Sequence, residues 1–332
     1  MKKILGYILP IGLAGGLLYF TYKDEDFSTL WENMKMAHLW PILATFATTV
    51  IAHFVRALRW NMLLQPVGYN PSNWNSFLAV MSGYFVNQII PRAGEVSRCT
   101  ALVTSEKVPL QTSIGTVLVE RGFDMVMLLL IGLTAFGLEY ETLTTFLSAQ
   151  QAKFGGGQTQ DPNLKFILLG LMALAGGLAF AFRKPLSRIP LFARILNFGM
   201  GLLEGIIGVT RMKNPFLFMV YTVLIWGGYY MTTYFSLYMF DFTHDLGFKE
   251  AFMLLIIGSA AVVVPVPGAL APFPLFVSAA LAELYFKDKV MSTSAASMMY
   301  WSQVMFTLVA GGTAYLITVI KANQKLSTEP EF

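Results

Sequence analysis

Cysteine is nearly absent from this chain. Cys99 stands alone, which excludes an intramolecular disulfide framework and any thiolate-built metal site. Histidine is scarce too, and His38, His53 and His244 are too scattered along the sequence to suggest a metal cluster. Charge is thin: 13% of the 332 residues are Asp, Glu, Lys or Arg, against about a quarter in a soluble domain. No Walker motif, nucleotide loop, metal-ligand spacing or nucleophile–base pair occurs, so hydrolytic and nucleotide-driven activities, a metal, a cofactor and a nucleic-acid partner have no support. What fills the chain is apolar. Hydrophobic residues make up 55% of it and the mean hydropathy is +0.59, the composition of a polytopic α-helical membrane protein.

A full crossing needs about 20 apolar residues. Six stretches qualify: 4–22, 39–60, 111–138, 164–182, 215–240 and 293–320. Met1-Lys2-Lys3 precedes the first of them. With no small-residue cleavage site following, that stretch reads as an uncleaved helix and not a signal peptide. Two more apolar stretches, 76–105 and 251–286, are broken near the middle, at Pro91-Arg92-Ala93-Gly94-Glu95 and at Pro265-Val266-Pro267-Gly268 with Pro272 and Pro274 beyond. Each arm has roughly 10 to 15 residues, too few to cross, and non-helical backbone survives in a bilayer only where protein buries it or a polar cavity receives it. Both stretches therefore read as re-entrant helical hairpins.

With both stretches as hairpins, fifteen of the 23 basic residues fall on one side. Lys23, Lys35, Lys153, Lys165, Lys249, Lys287 and Lys289 fall on the other, and Arg121 lies inside a crossing. The bias places both termini in the cytoplasm. Residues 39–138, with hairpin 76–105, then form one unit, and residues 215–320, with hairpin 251–286, a second of opposite orientation: an inverted repeat within a single membrane domain. Residues 1–38 supply the first helix and an outer loop. Residues 139–214 link the units through span 164–182 and a surface amphipathic helix at 191–212, and 321–332 form a cytoplasmic tail. The spacing in Gly201-Leu202-Leu203-Glu204-Gly205 and in Gly12-Leu13-Ala14-Gly15-Gly16 leaves a homo-oligomer open.

Chemistry concentrates in few places. Glu120, Arg121 and Asp124 lie roughly 14 to 20 Å along the crossing 111–138, near mid-bilayer, where each charge costs about 2.5–3.5 kcal/mol. Glu120 and Asp124 share a face and repel unless a cation sits between them, while Arg121 points about 100° away. Arg92 and Arg98 of the first hairpin are natural counter-ions, either as an ion-pair lock or as part of a substrate pathway. Their guanidinium forks also suit phosphate. Ser82, Gly83, Asn87 and Gln88 give that hairpin a small, polar lining. In the second hairpin Pro267 and Gly268 open the break, and the arm beyond would aim its amide end inward, towards an anion. Arg59 reads as a residue snorkelling to the headgroups, Arg56 equally as snorkelling or embedded, and His53 as a helix-packing residue.

The run Asn87-Gln88-Ile89-Ile90-Pro91-Arg92-Ala93-Gly94-Glu95-Val96-Ser97-Arg98, followed by Glu120-Arg121-Gly122-Phe123-Asp124, resembles the flippase-like membrane domain of bacterial lysylphosphatidylglycerol synthases and their stand-alone relatives. The resemblance implies movement of a phospholipid or polyprenyl-linked lipid between leaflets of the bacterial inner membrane. Arg56, Arg92 and Arg98 would hold the headgroup phosphate, while Glu95, Glu120 and Asp124 orient them or meet a cationic headgroup portion. Where the family commonly has P-x-P-G-G-x-G and a polar residue, this chain has Pro265-Val266-Pro267-Gly268-Ala269-Leu270-Ala271 and Pro274. No aminoacyltransferase domain follows the last span, so lipid aminoacylation is not expected. A secondary transporter of a small anion, and a non-transporting partner of a cell-envelope enzyme, are the alternatives.

Overall fold

A computed structural model of the chain describes residues 12, 15–19, 21–23, 25–91, 93–145, 208–209, 212–264, 266–285 and 287–328. Every regular element among them is a helix. Crossing 164–182, nearly all of 191–212, most of 4–22 and of loop 139–163, Arg92 and Pro265 lie outside the described residues.

A short helix α1, Phe27–Lys35, starts at Asp26, whose carboxylate caps the Ser28 N–H. Helix α2, Leu39–Leu64, follows. Its surface reverses the pattern of a soluble helix. Leu39, Trp40, Leu43, Val50, Ile51 and Phe54 are exposed, while Thr45, Thr49, His53, Arg56 and Arg59 are buried. An apolar exterior around a polar interior is what a lipid solvent selects. Four described helices are long and apolar enough to cross a membrane: Leu39–Val67, Pro215–Met239, Pro267–Leu284 and Lys289–Gln324. Three match predicted crossings; the fourth is the return arm of the second predicted hairpin.

Helices α3, Asn73–Ile89, and α4, Gly94–Glu106, double back on each other around Pro91. The base of this hairpin is closed by Glu106, which accepts from Ser72 N (3.1 Å) and Asn75 Nδ2 (2.6 Å). Near the tip Asn87 Oδ1 accepts from Gly94 N at 2.7 Å, capping α4. The backbones nearly touch here. A Cβ on Gly94 would fall 2.1 Å from the Gly83 carbonyl oxygen, so only glycine fits. At 1.5 Å per residue α3 and α4 span roughly 25 and 20 Å, short of a ~30 Å hydrocarbon core.

Helix α5, Leu110–Leu138, has 29 residues, and α6, Pro215–Ser236, runs antiparallel to α2. Thr48 and Thr232 hydroxyls meet at 2.9 Å, and Gly228 admits Ala52 at close range. A second hairpin pairs α7, Phe248–Val263, with α8, Pro272–Ala279, which continues through a π turn to Leu284. Its base is closed by Lys287 Nζ on Asp245 Oδ1 at 2.6 Å. At its tip Gly268 and Ala269 hold left-handed backbone (φ 53° and 58°), so Pro267–Leu284 is not one continuous rod. Helices α9, Lys289–Phe306, and α10, Gly312–Thr328, are joined by a π turn.

The packing repeats. Helix α2 packs on α3, and α6 on α7; α4 packs on α5, and α8 on α9. The last helix of each half lies against the first arm of the other hairpin, α5 on α7 and α10 on α3. One apolar cluster gathers around Trp60, Leu64, Val80 and Leu102 of the first half, the other around Trp226, Leu254, Leu281 and Met299 of the second, joined there by Ile131 and Ala135 of α5. The two halves meet along α2 and α6, and at the hairpin tips.

Candidate functional site

Four arginines and three carboxylates converge where α2, α4 and α5 meet. Arg56 Nη1 lies between Glu120 and Asp124, paired with Glu120 Oε1 and 2.9 Å from Asp124 Oδ2. It is the cation that the i, i+4 carboxylate pair requires. Arg59 Nη2 reaches Asp124 Oδ1 at 2.8 Å and Glu120 Oε1 at 3.5 Å. Arg98 Nη2 holds Glu120 Oε2 at 2.8 Å, with its guanidinium 4.6 Å from the Trp60 ring centroid. These five side chains are 0–10% exposed. At the rim Arg121 Nη2 pairs with Glu95 Oε1 at 3.0 Å, and these two are 36% and 37% exposed.

Three buried guanidiniums against two buried carboxylates leave one positive charge in excess, and the Arg121–Glu95 pair leaves that sum unchanged. A buried network of this kind is costly unless fully paired. Hydroxyls complete part of it: Tyr229 accepts from Arg56 Nε at 3.1 Å and Thr222 from Arg59 Nη1 at 3.2 Å. Arg59 Nε and Arg98 Nε are buried without a hydrogen-bond partner.

From this cluster a polar stripe runs back along α2. His53 stacks on Tyr84 with ring centroids 4.0 Å apart, and the Tyr84 and Tyr229 hydroxyls meet at 3.2 Å. One turn away Thr49 Oγ1 donates to Gln303 Oε1 at 3.1 Å. His53 Nδ1 and Gln303 Nε2 are likewise buried and unpartnered. The hairpin tips close one end of this region. A Cβ on Gly268 would fall 1.9 Å from Gln88 Oε1, and the Gly268 carbonyl accepts from Tyr300 OH at 3.1 Å.

The structure thus brings Arg56, Glu95, Arg98, Glu120, Arg121 and Asp124 into one network, with Asn87, Gln88, Pro267 and Gly268 at the meeting tips. Arg59 departs from expectation. It is 0% exposed and ion-paired instead of snorkelling, because Asp124 on another helix lies within its reach. Tyr229, Tyr84 and Thr222 escaped sequence reading, since a hydroxyl in an apolar helix gives no spacing signal. Gln303 escaped as well, a lone uncharged amide giving no spacing signal either.

Apolar outer faces around a charged interior define a multi-pass α-helical membrane protein. The chain belongs to the family described as the lysylphosphatidylglycerol synthase TM region, whose match covers residues 7–282 and both hairpin tips. A UPF0104 membrane protein of Methanocaldococcus jannaschii is 30% identical over 108 residues, which is 32% of each chain. The aligned part is therefore about a third of that relative's length. No solved structure matches the chain.

Proposed function

We propose that this protein moves a phospholipid or polyprenyl-linked lipid headgroup between membrane leaflets, without covalent chemistry. The observation that carries the reading is the buried arginine–carboxylate network with surplus positive charge, set beside two meeting hairpin tips. Such charge inside a bilayer protein is expensive and points to a substrate path by default. Membership of a lipid-synthase membrane family supports a lipid as cargo.

In this reading the two hairpins are re-entrant, dip from opposite faces and belong to an inverted repeat of six crossings, with both termini in the cytoplasm. The buried, ion-paired Arg56, Arg59, Arg98, Glu120 and Asp124 form the frame and its positive field. The half-exposed Arg121–Glu95 pair is the working end. A phosphate displaces Glu95 from Arg121, and the freed carboxylate receives any ammonium on the headgroup. Arg92, three residues before Glu95 in the sequence, adds a second donor. The acyl chains stay in the bilayer, so only the headgroup needs the polar interior.

The test is transfer of a fluorescent phospholipid in proteoliposomes of the purified chain. Wild type should exceed protein-free vesicles, and Arg121→Ala and Glu95→Gln should each slow transfer at least several-fold. Transfer at the protein-free rate would remove the proposal. If a soluble phosphate ester bound and crossed while lipids did not, the cargo would be a small anion.

A further inference from the structure

Three side chains that lipid movement does not use come together at the start of α2. His38 is the residue that precedes α2, while Asp241 and His244 lie in the connector between α6 and α7. His38 Nε2 is 2.9 Å from Asp241 Oδ1, and His244 Nδ1 is 3.8 Å from the same oxygen. The imidazoles stack with centroids 5.7 Å apart, 27° from parallel. All three side chains are exposed, and one ligand atom from each lies within 4.8 Å of the others. Since 203 residues separate His38 from Asp241, the expectation that the histidines are too scattered for a metal cluster fails: the fold joins two of them.

The protonation of His244 is set by a neighbour. Its Nε2 lies 3.2 Å from the Tyr238 carbonyl oxygen, which can only accept, so Nε2 carries the N–H. In the neutral ring Nδ1 is then a lone pair, set 3.8 Å from a carboxylate oxygen. A shared cation, or a proton on Nδ1, would turn this approach into an attraction. An imidazole N–H held by a backbone carbonyl is also the contact that orients metal-bound histidines.

We propose that His38, Asp241 and His244 bind one divalent cation of the zinc class. Two imidazole nitrogens and a carboxylate suit Zn²⁺ and its first-row neighbours at about 2.0–2.2 Å. Exposed side chains can rotate from the present spacing onto such a centre, and the remaining position stays open to water. The ion would tie the start of α2 to the α6–α7 connector, reinforcing the 2.8 Å bond from His38 N to the Met239 carbonyl. It would thereby brace the two halves on this face. The inference is independent of the lipid reading.

The test uses the full chain, purified without a histidine tag and dialysed against chelator, titrated with ZnCl₂ by calorimetry. Wild type should bind one Zn²⁺ per chain saturably and melt at higher temperature with it. Asp241→Asn should weaken binding ten-fold or more, and the double variant His38→Ala/His244→Ala should lose saturable binding while keeping its helical circular dichroism. No saturable heat for wild type, or unchanged affinity in the double variant, would overturn the site.

Discussion

Glu120 receives guanidiniums from two other helices, Arg56 and Arg59 of α2 and Arg98 of α4, and is 0% exposed. Removing its charge strips Arg98 of its Glu120 partner and leaves Arg56 and Arg59 with Asp124, and breaking a buried pair from one side costs about 3–5 kcal/mol. Glu120→Gln should therefore lower the unfolding temperature of the detergent-solubilised protein steeply; a shift of a degree or less would mean the network is not holding the helices together. Much of this cluster was legible. The i, i+4 spacing of Glu120 and Asp124 demanded a cation, and the arginines of the first hairpin were the natural donors. Which arginine sits between the carboxylates was not legible, because Arg56 reaches them only through the packing of α2 on α5. Arg59 was misread for the same reason.

Helical hairpins carry their own tests. Gly94 faces the Gly83 carbonyl so closely that a methyl group cannot enter without parting α3 and α4. Overpacking of this kind costs about 1–3 kcal/mol. Gly94→Ala should destabilise by that order. Gly115→Ala in α5, where nothing lies within 4 Å, should be neutral or gain up to about 1 kcal/mol from helix propensity. Equal responses from the two variants would contradict the packed hairpin. At the base of the second hairpin, the Lys287 ammonium bonded to Asp245 holds that carboxyl below its ordinary value. A depressed folded pKa contributes stability above the unfolded value near 3.9, and that contribution fades as the pH falls through the folded one. Asp245→Asn should flatten the acid limb of the stability curve below about pH 4. Because Asp245 is 65% exposed, the effect at neutral pH should stay under about 1 kcal/mol. An acid limb identical to wild type would show that the pair does not close the hairpin. Both turns were legible from proline and glycine. The closures by Glu106 and Lys287 were not, since each joins residues beyond the reach of any local pattern.

At the scale of the whole molecule, two halves with matching contacts place their hairpin tips against each other, Gly268 on Gln88. The matching breaks in the two halves of the sequence anticipated this, although the halves share little residue identity. Charge bias along the loops supplied the direction of each half, and the claim that the hairpins dip from opposite faces rests on it. The most direct measurement is labelling of single cysteines in intact cells with a membrane-impermeant thiol reagent, on a background where buried Cys99 is replaced by Ala. Ser72→Cys reports the base of the first hairpin, while Lys249→Cys and Lys289→Cys flank the second. The account predicts that both flanking positions label from outside and that Ser72→Cys labels only after the membrane is opened. Labelling of Lys249→Cys and Lys289→Cys from opposite sides would make α7 and α8 a single crossing and contradict it.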